Sequence, residues 1–384
     1  MGKIPAAFEA VFTVEEHLRA RRGAGRATSV REGIWCNAAS NDYLGLARDE
    51  RVVAAAQDAV ACWGASASAS RVVSGTFPIH AELESALAAL VGVDSALVFS
   101  SGYAANLAVL ASLGQRGVQL LLDEHVHASL HDAVRLSAAK AAFFGHNRLD
   151  HLRQLLEQCA GEPTVVVVEG VYSVLGDAAD LTAVSALCED FGALLVVDEA
   201  HSLGVRGGGA GLCAEAGIAG KPYVVVTASL GKALGSQGGV VLCSGYVRDF
   251  LVNSARTFIF DTALSPASAG AALEAVRILG GEGVSLTAEL EKNARHIRQS
   301  LAPLGLMHDD AAGAVQSLKF PGSSGQAREC AEALAQAGVL VGCFRPPSVP
   351  DGVARLRITA QAGQSREILD SALQQIMSEL SSYM

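Results

Sequence analysis

The sequence has few of the features that mark nucleic-acid-binding, disulfide-stabilised or secreted proteins. Its 29 lysines and arginines are outnumbered by 39 acidic residues, which gives a net charge of −10 without a basic cluster that could follow a phosphate backbone. The eight cysteines are scattered, with neither a Cys-x-x-Cys pair nor a zinc-ligand spacing, so we expect reduced core residues. The acidic charge balance predicts no nucleic-acid partner. The first turns contain Glu9, Glu15 and Glu16 instead of an apolar signal segment, which predicts a cytoplasmic protein.

One long uncharged stretch, from Ser95 to Gln115, could suggest a membrane span. Its serines, Gly102 and Asn106 interrupt the apolar run. We therefore predict a strand, a turn and a buried helix in this region, and no membrane partner.

The remaining composition is typical of a large α/β protein. Half of the 384 residues are hydrophobic, which is enough for two lobes. We predict an N-terminal arm over residues 1–45, a large domain over 46–280 and a smaller α+β C-terminal domain over 281–384. The Gly280-Gly-Glu-Gly segment places the second boundary, and a long helix is expected from Ser285 to Leu301.

Short β-branched runs alternate with helical patterns through the large domain. This alternation predicts a doubly wound, mostly parallel sheet flanked by helices. The expected strands are Ala96–Phe99, Gln119–Leu122, Ala141–Phe144, Thr164–Val168, Ala193–Val197 and Tyr223–Val226.

Lys232 lies just beyond the last of these strands, in Thr-Ala-Ser-Leu-Gly-Lys-Ala-Leu-Gly. A P-loop would need glycine at Val226 and a serine or threonine at Ala233, so this segment does not fit one. Most lysines are simply exposed. A lysine among small residues at the carboxyl end of a sheet is nevertheless a candidate Schiff-base amine, if suitable partners lie nearby.

Pyridoxal 5′-phosphate (PLP) requires such partners, and the chain offers them. Asp198 follows a strand and could hold the pyridine nitrogen, while His201 could contact the phenolate and His127 could stack on the ring. Asp198 with His201, or His125 with His127, could alternatively bind a metal, but a third ligand group is not nearby. We therefore predict no metal.

Phosphate binding has two candidate segments. Ser100-Ser-Gly-Tyr103 joins a strand to a helix, so backbone N–H groups at the helix start could hold a phosphate. Gly209-Ala-Gly-Leu-Cys-Ala214 fits a loose dinucleotide pattern, but a preceding strand and a later acidic residue are missing.

Taken together, these motifs resemble the α-oxoamine synthases, PLP enzymes of fold type I that join an amino acid to an acyl thioester with loss of carbon dioxide. The resemblance spans nearly the whole chain. The matching segments are Ser40-Asn-Asp-Tyr-Leu-Gly-Leu46, Ser101-Gly-Tyr-Ala-Ala-Asn106, His127-Ala-Ser-Leu130, Glu169-Gly-Val-Tyr-Ser173, Asp198-Glu-Ala-His201 and Ser229-Leu-Gly-Lys232.

The resemblance implies a set of site residues. It makes Lys232, His127, Asp198 and His201 catalytic. The cofactor would also contact Gly102, Tyr103, Ser173 and Ser229, with Thr262 reaching the phosphate of the partner subunit in a homodimer with shared active sites. Substrate contacts would come from Arg26, Asn41, Arg357 and Thr359; Asn41 could equally be a turn residue.

The resemblance also implies a reaction. Phe344-Arg-Pro-Pro-Ser-Val-Pro350 and Ala354-Arg-Leu-Arg-Ile-Thr359 are most similar to the biotin-pathway branch, which condenses L-alanine with a pimeloyl thioester. Ser66 and Ala69 stand where family members usually have glycine, and Thr227-Ala-Ser-Leu is also similar to α-hydroxyketone autoinducer synthases. A longer acyl group is therefore the alternative, and a non-catalytic binding protein is a more distant one.

Overall fold

The computed structural model describes residues 5–21, 25, 28, 30–346, 348–349 and 351–384. Arg26, one of the predicted substrate contacts, lies outside these residues. In the described part of the chain, no helix is long and apolar enough to cross a membrane.

A seven-stranded sheet forms the centre of the large domain within these residues. Its order is β2-β8-β7-β6-β5-β3-β4, with β2 and β8 antiparallel to their neighbours and the other pairs parallel. The strands are β2 (Ser95–Phe99), β3 (Gln119–Asp123), β4 (Lys140–Phe144), β5 (Thr164–Glu169), β6 (Leu194–Asp198), β7 (Val224–Ser229) and β8 (Gly239–Cys243).

Alternate residues of each strand enter different hydrophobic cores. Val166, Leu195 and Val226 belong to one core, whereas Val167 and Val196 belong to the other. Helices cover both faces, which explains why these strands are apolar throughout. The helices before the C-terminal region are α1 (Ala6–Arg21), α2 (Glu50–Trp63), α3 (Pro78–Val91), α4 (Gly102–Leu113), α5 (Ala128–Leu136), α6 (Leu149–Gln158), α7 (Leu181–Phe191), α8 (Leu212–Glu215), α9 (Gly245–Ser254) and α10 (Arg256–Ile259).

Two smaller sheets complete the described structure. The N-terminal strand β1 (Cys36–Asn37) pairs in parallel with β10 (Val339–Leu340), and the antiparallel sheet has the order β11-β12-β9. The other elements here are α11 (Pro266–Leu301), β9 (Val315–Lys319), α12 (Ser324–Gln336), β11 (Gly342–Phe344), β12 (Arg355–Thr359) and α13 (Arg366–Leu380).

The predicted helix start at Ser285 is wrong. A single helix, α11, runs for 36 residues through the glycine-rich segment. A side chain at Gly280 or Gly281 would meet open space, whereas a Cβ at Gly283 would lie 2.2 Å from the carbonyl oxygen of Gly208. Gly283 thus permits close packing, and tertiary contacts outweigh the low helix propensity of glycine.

Candidate active site

Lys232 follows β7 at the carboxyl end of the central sheet. Its Nζ lies 2.7 Å from Nε2 of His201. Burial lowers the pKa of the lysine amine to about 8, although the carboxylate of Asp198, and Glu169 when it is charged, act in the opposite direction. A substantial fraction of this amine is therefore neutral, and so nucleophilic, near physiological pH.

A hydrogen-bond chain fixes the state of the histidine. Tyr43 donates from its hydroxyl to Oδ1 of Asn41 at 3.0 Å, so the same hydroxyl accepts from Nδ1 of His201 at 2.7 Å. This arrangement places the His201 proton on Nδ1 and leaves Nε2 to accept from Lys232. Burial also lowers the pKa of His201 well below its usual value.

Asp198 ends β6 and is 5% exposed. Its Oδ1 accepts from the backbone N–H of Ala200 at 2.9 Å, and its Oδ2 accepts from Nδ2 of Asn106 at 2.7 Å. These two bonds hold the carboxylate in one orientation at the strand end.

Asn106 connects several parts of the site. Its amide nitrogen also donates to Oγ of Ser129 at 2.8 Å, and its oxygen accepts from Oγ1 of Thr227 at 2.6 Å. Ser129 in turn lies 2.8 Å from Nδ1 of His127. The side chain of Asn106 thus ties the predicted ring-stacking histidine to the predicted partner of the pyridine nitrogen. Sequence reasoning missed this role.

The start of α4 forms a narrow cradle. Ser101 caps the helix by accepting from the backbone N–H of Ala104 at 3.0 Å, and a Cβ at Gly102 would lie 3.3 Å from Cβ of Ser229. Tyr103 is 45% exposed and donates from its hydroxyl to Asp132 at 2.6 Å. Backbone N–H groups at this helix start suit an anionic ligand such as a phosphate.

These groups share one cavity of about 250 Å³, which we call the lysine cavity. Seven predicted site residues line it: Gly102, Tyr103, His127, Asp198, His201, Ser229 and Lys232. Other lining residues are Ser101, Asn106, Ser129, Glu169 and Ala200. The cavity fits PLP in three respects. Its amine can form an imine with the aldehyde, its fixed carboxylate can contact the pyridine nitrogen, and the cradle at the helix start can hold the phosphate.

Arg357 comes from β12 of the small sheet. Its Nη1 donates to the backbone oxygen of Ser173 at 2.8 Å and its Nη2 donates to Oδ1 of Asn41 at 2.9 Å. The guanidinium lies 4.7 Å from the centroid of the Phe344 ring, and its Nε has no hydrogen-bond partner among the described residues. Asn41 and Arg357 are therefore brought together, with Ser173 beside them.

Three other predicted residues lie elsewhere. The hydroxyl of Thr359 is 2.9 Å from the backbone oxygen of Ala38 and 2.7 Å from that of Ser40, so it holds the loop that carries Asn41. Thr262 is exposed and does not line the lysine cavity. Ser173 lines an adjacent cavity of about 420 Å³ that also contacts His125, His127, His131, Phe344 and Ser348; we call this space the histidine cavity.

The alternative ligand hypotheses find little support in this geometry. The described residues contain no group of three or more His, Cys, Asp or Glu that could hold a metal ion. In the dinucleotide-like segment, a Cβ at Gly209 would lie 2.9 Å from Leu279 and a Cβ at Gly211 would lie 1.9 Å from Oε2 of Glu199. These glycines serve close packing inside the protein.

Comparisons with known proteins identify the family of this chain. The aminotransferase class I and II family model matches residues 34–376. An 8-amino-7-oxononanoate synthase from Mycobacterium leprae is 45% identical over 374 residues, covering 96% of this chain and 94% of the relative.

Two solved structures extend the comparison. Serine palmitoyltransferase from S. paucimobilis, solved with bound PLP and myriocin, has a TM-score of 0.89 at 26% identity and covers 100% of this chain and 99% of that chain. An 8-amino-7-oxononanoate synthase from Francisella tularensis has a TM-score of 0.76 at 26% identity, covering 90% and 98%. The cofactor of this chain is PLP. The chain belongs to the aminotransferase class I and II family, and within it to the α-oxoamine synthases.

Proposed function

We propose that this chain condenses L-alanine with a pimeloyl thioester, releasing carbon dioxide and the thiol, to form 8-amino-7-oxononanoate. Relatives named 8-amino-7-oxononanoate synthase support the assignment, because they are 45% identical to this chain over nearly its full length. The observation that carries the chemistry is the partly neutral Lys232 amine, bonded to His201 in the same cavity as Asp198.

In this proposal the cavity residues hold the cofactor at its polar groups. Asp198 would hold the pyridine nitrogen, His127 the ring face, and Gly102, Tyr103 and Ser229 the phosphate. PLP supplies an electron sink that stabilises negative charge on the α-carbon of the amino acid. The bonds from Asn106 and Ala200 keep the Asp198 carboxylate oriented for its task.

Arg357 binds the carboxylate of the amino acid. Its planar fork matches a carboxylate in a two-point contact, and its unpartnered Nε leaves a donor free for that purpose. Asn41 and the Ser173 carbonyl fix the guanidinium by accepting from its two terminal nitrogens. This positioning selects α-amino acids over amines without a carboxylate.

Lys232 moves the proton at the α-carbon. The neutral amine removes this proton and later returns it, and its pKa near 8 suits both steps at physiological pH. His201 accepts from the amine through Nε2 and orients the nitrogen lone pair. Tyr43 fixes the histidine tautomer from the other side.

The histidine cavity is the proposed entry for the acyl thioester. It shares His127 with the lysine cavity, so a substrate there would approach the face of the site that this histidine covers.

We also propose a homodimer in which Thr262 reaches the other subunit, with Arg26 as an acyl contact. Exposed Phe260, at 70%, and Val73, at 78%, support such an interface. The cytoplasmic location stays a prediction.

The assay that tests this proposal is thiol release by PLP-loaded protein. L-Alanine with pimeloyl-CoA is compared with octanoyl-CoA and decanoyl-CoA, and with glycine in place of alanine. We expect the pimeloyl–alanine pair to have the highest kcat/KM. Preference for a longer acyl group would move the enzyme to the autoinducer-like alternative, and absence of any thiol release would contradict the condensation itself.

A further inference from the structure

Glu169 is a site residue that the proposed reaction leaves without a task. It ends β5 and is 1% exposed, and it lines the lysine cavity together with Lys232 and Asp198. In the register of the sheet it pairs directly with Asp198 at the end of β6. Two carboxyl groups thus lie side by side at the ends of adjacent buried strands.

The hydrogen bonds of Glu169 are incomplete. Its Oε2 accepts from the backbone N–H of Ser173 at 3.0 Å. Its Oε1 is buried and has no hydrogen-bond partner among the described residues. A buried polar atom without a partner is costly, so such an atom in a ligand cavity points to a group that arrives with the ligand.

Burial and the neighbouring Asp198 favour the neutral form of Glu169, whereas Lys232 and the backbone N–H groups of Ser173 and His127 favour the carboxylate. Its neighbour Asp198 already receives two N–H donors, from Asn106 and from the backbone of Ala200. The Lys232 amine lines the same cavity, where its charge lowers the pKa of Glu169, and it is hydrogen-bonded to His201. Burial and the charge of Asp198 both raise the pKa of Glu169 well above its usual range.

We propose that Glu169 works as a neutral carboxylic acid whose Oε1 side donates a hydrogen bond to an anionic oxygen of the bound cofactor or amino acid. Its other oxygen accepts from the backbone N–H of Ser173. This bond also helps to position the Ser173 carbonyl oxygen, which accepts from Arg357. The inference rests on the proposed function for the nature of the ligand. A neutral donor can hold an anionic oxygen without adding a second negative charge beside Asp198.

Two variants separate a neutral donor from a charged group. Glu169→Gln keeps the shape, one donor and one acceptor, whereas Glu169→Leu keeps only the approximate volume. We expect the PLP affinity and the turnover of E169Q to stay within about threefold of the wild type. E169L should lose about tenfold to hundredfold in PLP affinity or in turnover. Weaker PLP binding without amino acid would assign the bond to the cofactor, and a raised KM for alanine alone would assign it to the substrate.

Infrared spectroscopy tests the protonation directly. The wild-type minus E169Q difference spectrum at about neutral pH should contain the C=O stretching band of a protonated carboxyl group. The exposed control Glu157→Gln should produce no such band. This measurement and PLP affinity need no condensation assay, so they remain decisive if the proposed reaction is wrong, and the spectrum needs no E169L protein if that variant fails to fold.

Three results would overturn the proposal. They are the absence of the carboxylic-acid band, an E169Q variant as impaired as E169L, and an E169L variant with unchanged PLP affinity and unchanged KM for alanine.

Discussion

Two buried clusters of basic and acidic side chains lie near the carboxyl ends of the central strands, and they differ in how their groups are paired. In the first, Nδ1 of His146 is 2.9 Å from Asp123 and its Nε2 is 2.7 Å from Asp177. In the second, the lysine cavity, the Lys232 amine contacts a neutral histidine and Oε1 of Glu169 has no partner in the described chain.

The pKa values follow this difference in pairing. Burial lowers the pKa of His146, but its bonds to Asp123 and Asp177 outweigh that effect and raise it to about 9. For Lys232 burial prevails, and the pKa falls to about 8. The first cluster satisfies its central charge internally and therefore stabilises the fold, whereas the second keeps reactive groups available for a ligand.

The largest effect that would sharpen this contrast is expected from Lys232→Ala. Removal of the amine takes away both the covalent attachment of the cofactor and the proposed proton carrier, so turnover should fall below about 0.1% of the wild-type rate. Thiol release and the visible absorption of bound PLP measure this loss. The exposed Lys292→Ala should behave as wild type, and substantial turnover by K232A would refute the assignment.

A smaller effect is expected from Arg357→Lys. A lysine keeps the positive charge but loses the two-point contact, so KM for alanine should rise by about tenfold to hundredfold with a smaller change in kcat. Steady-state kinetics at varied alanine concentration provide the test, with exposed Arg366→Lys as the matched control. An unchanged KM would remove Arg357 from the amino-acid site.

The smallest effect on activity, and a clear effect on stability, is expected from His146→Gln. The folded state binds a proton on His146 more tightly than the unfolded state, with pKa values of about 9 and 6.5. The stabilisation by wild-type His146, about 3 kcal/mol, should therefore be complete below pH 6.5 and disappear as the pH rises through about 9.

Urea unfolding from about pH 6 to pH 10 checks this expectation for H146Q, with turnover near neutral pH staying within about threefold of wild type. The exposed His17→Gln serves as the control. A pH-independent difference in unfolding free energy would mean that His146 is not protonated in the fold, and the contrast between the clusters would fail.

The sequence predicts the positions of the parallel strands well, because buried β-branched runs between turn formers have few other interpretations. The expected strand from Thr164 to Val168 differs from β5 by one residue, and the cavity lies at the strand ends as expected. The added antiparallel strand β8 was not predicted. It begins at Gly239, and glycine ordinarily indicates a turn.

The supporting residues of the site were harder to predict than its reactive ones. Asn106, Tyr43 and Glu169 lie within the motifs that carry the family resemblance, but each lies far along the chain from its partner. Asn106 is 92 positions from Asp198, Tyr43 is 158 positions from His201, and Glu169 is 29 positions from Asp198. Only the folded chain reveals such contacts. Periodicity likewise could not show that Gly283 packs against Gly208 inside an unbroken helix.

The unbroken helix α11 has a mechanical consequence. At 1.5 Å per residue, its 36 residues form a rod of about 54 Å. It packs on α2 and α3 of the large domain and on β9 and α13 of the small one. Lys232 follows β7 of the large domain and Arg357 lies on β12, which pairs with β9, so one continuous helix contacts both the large domain and the sheet that carries the guanidinium.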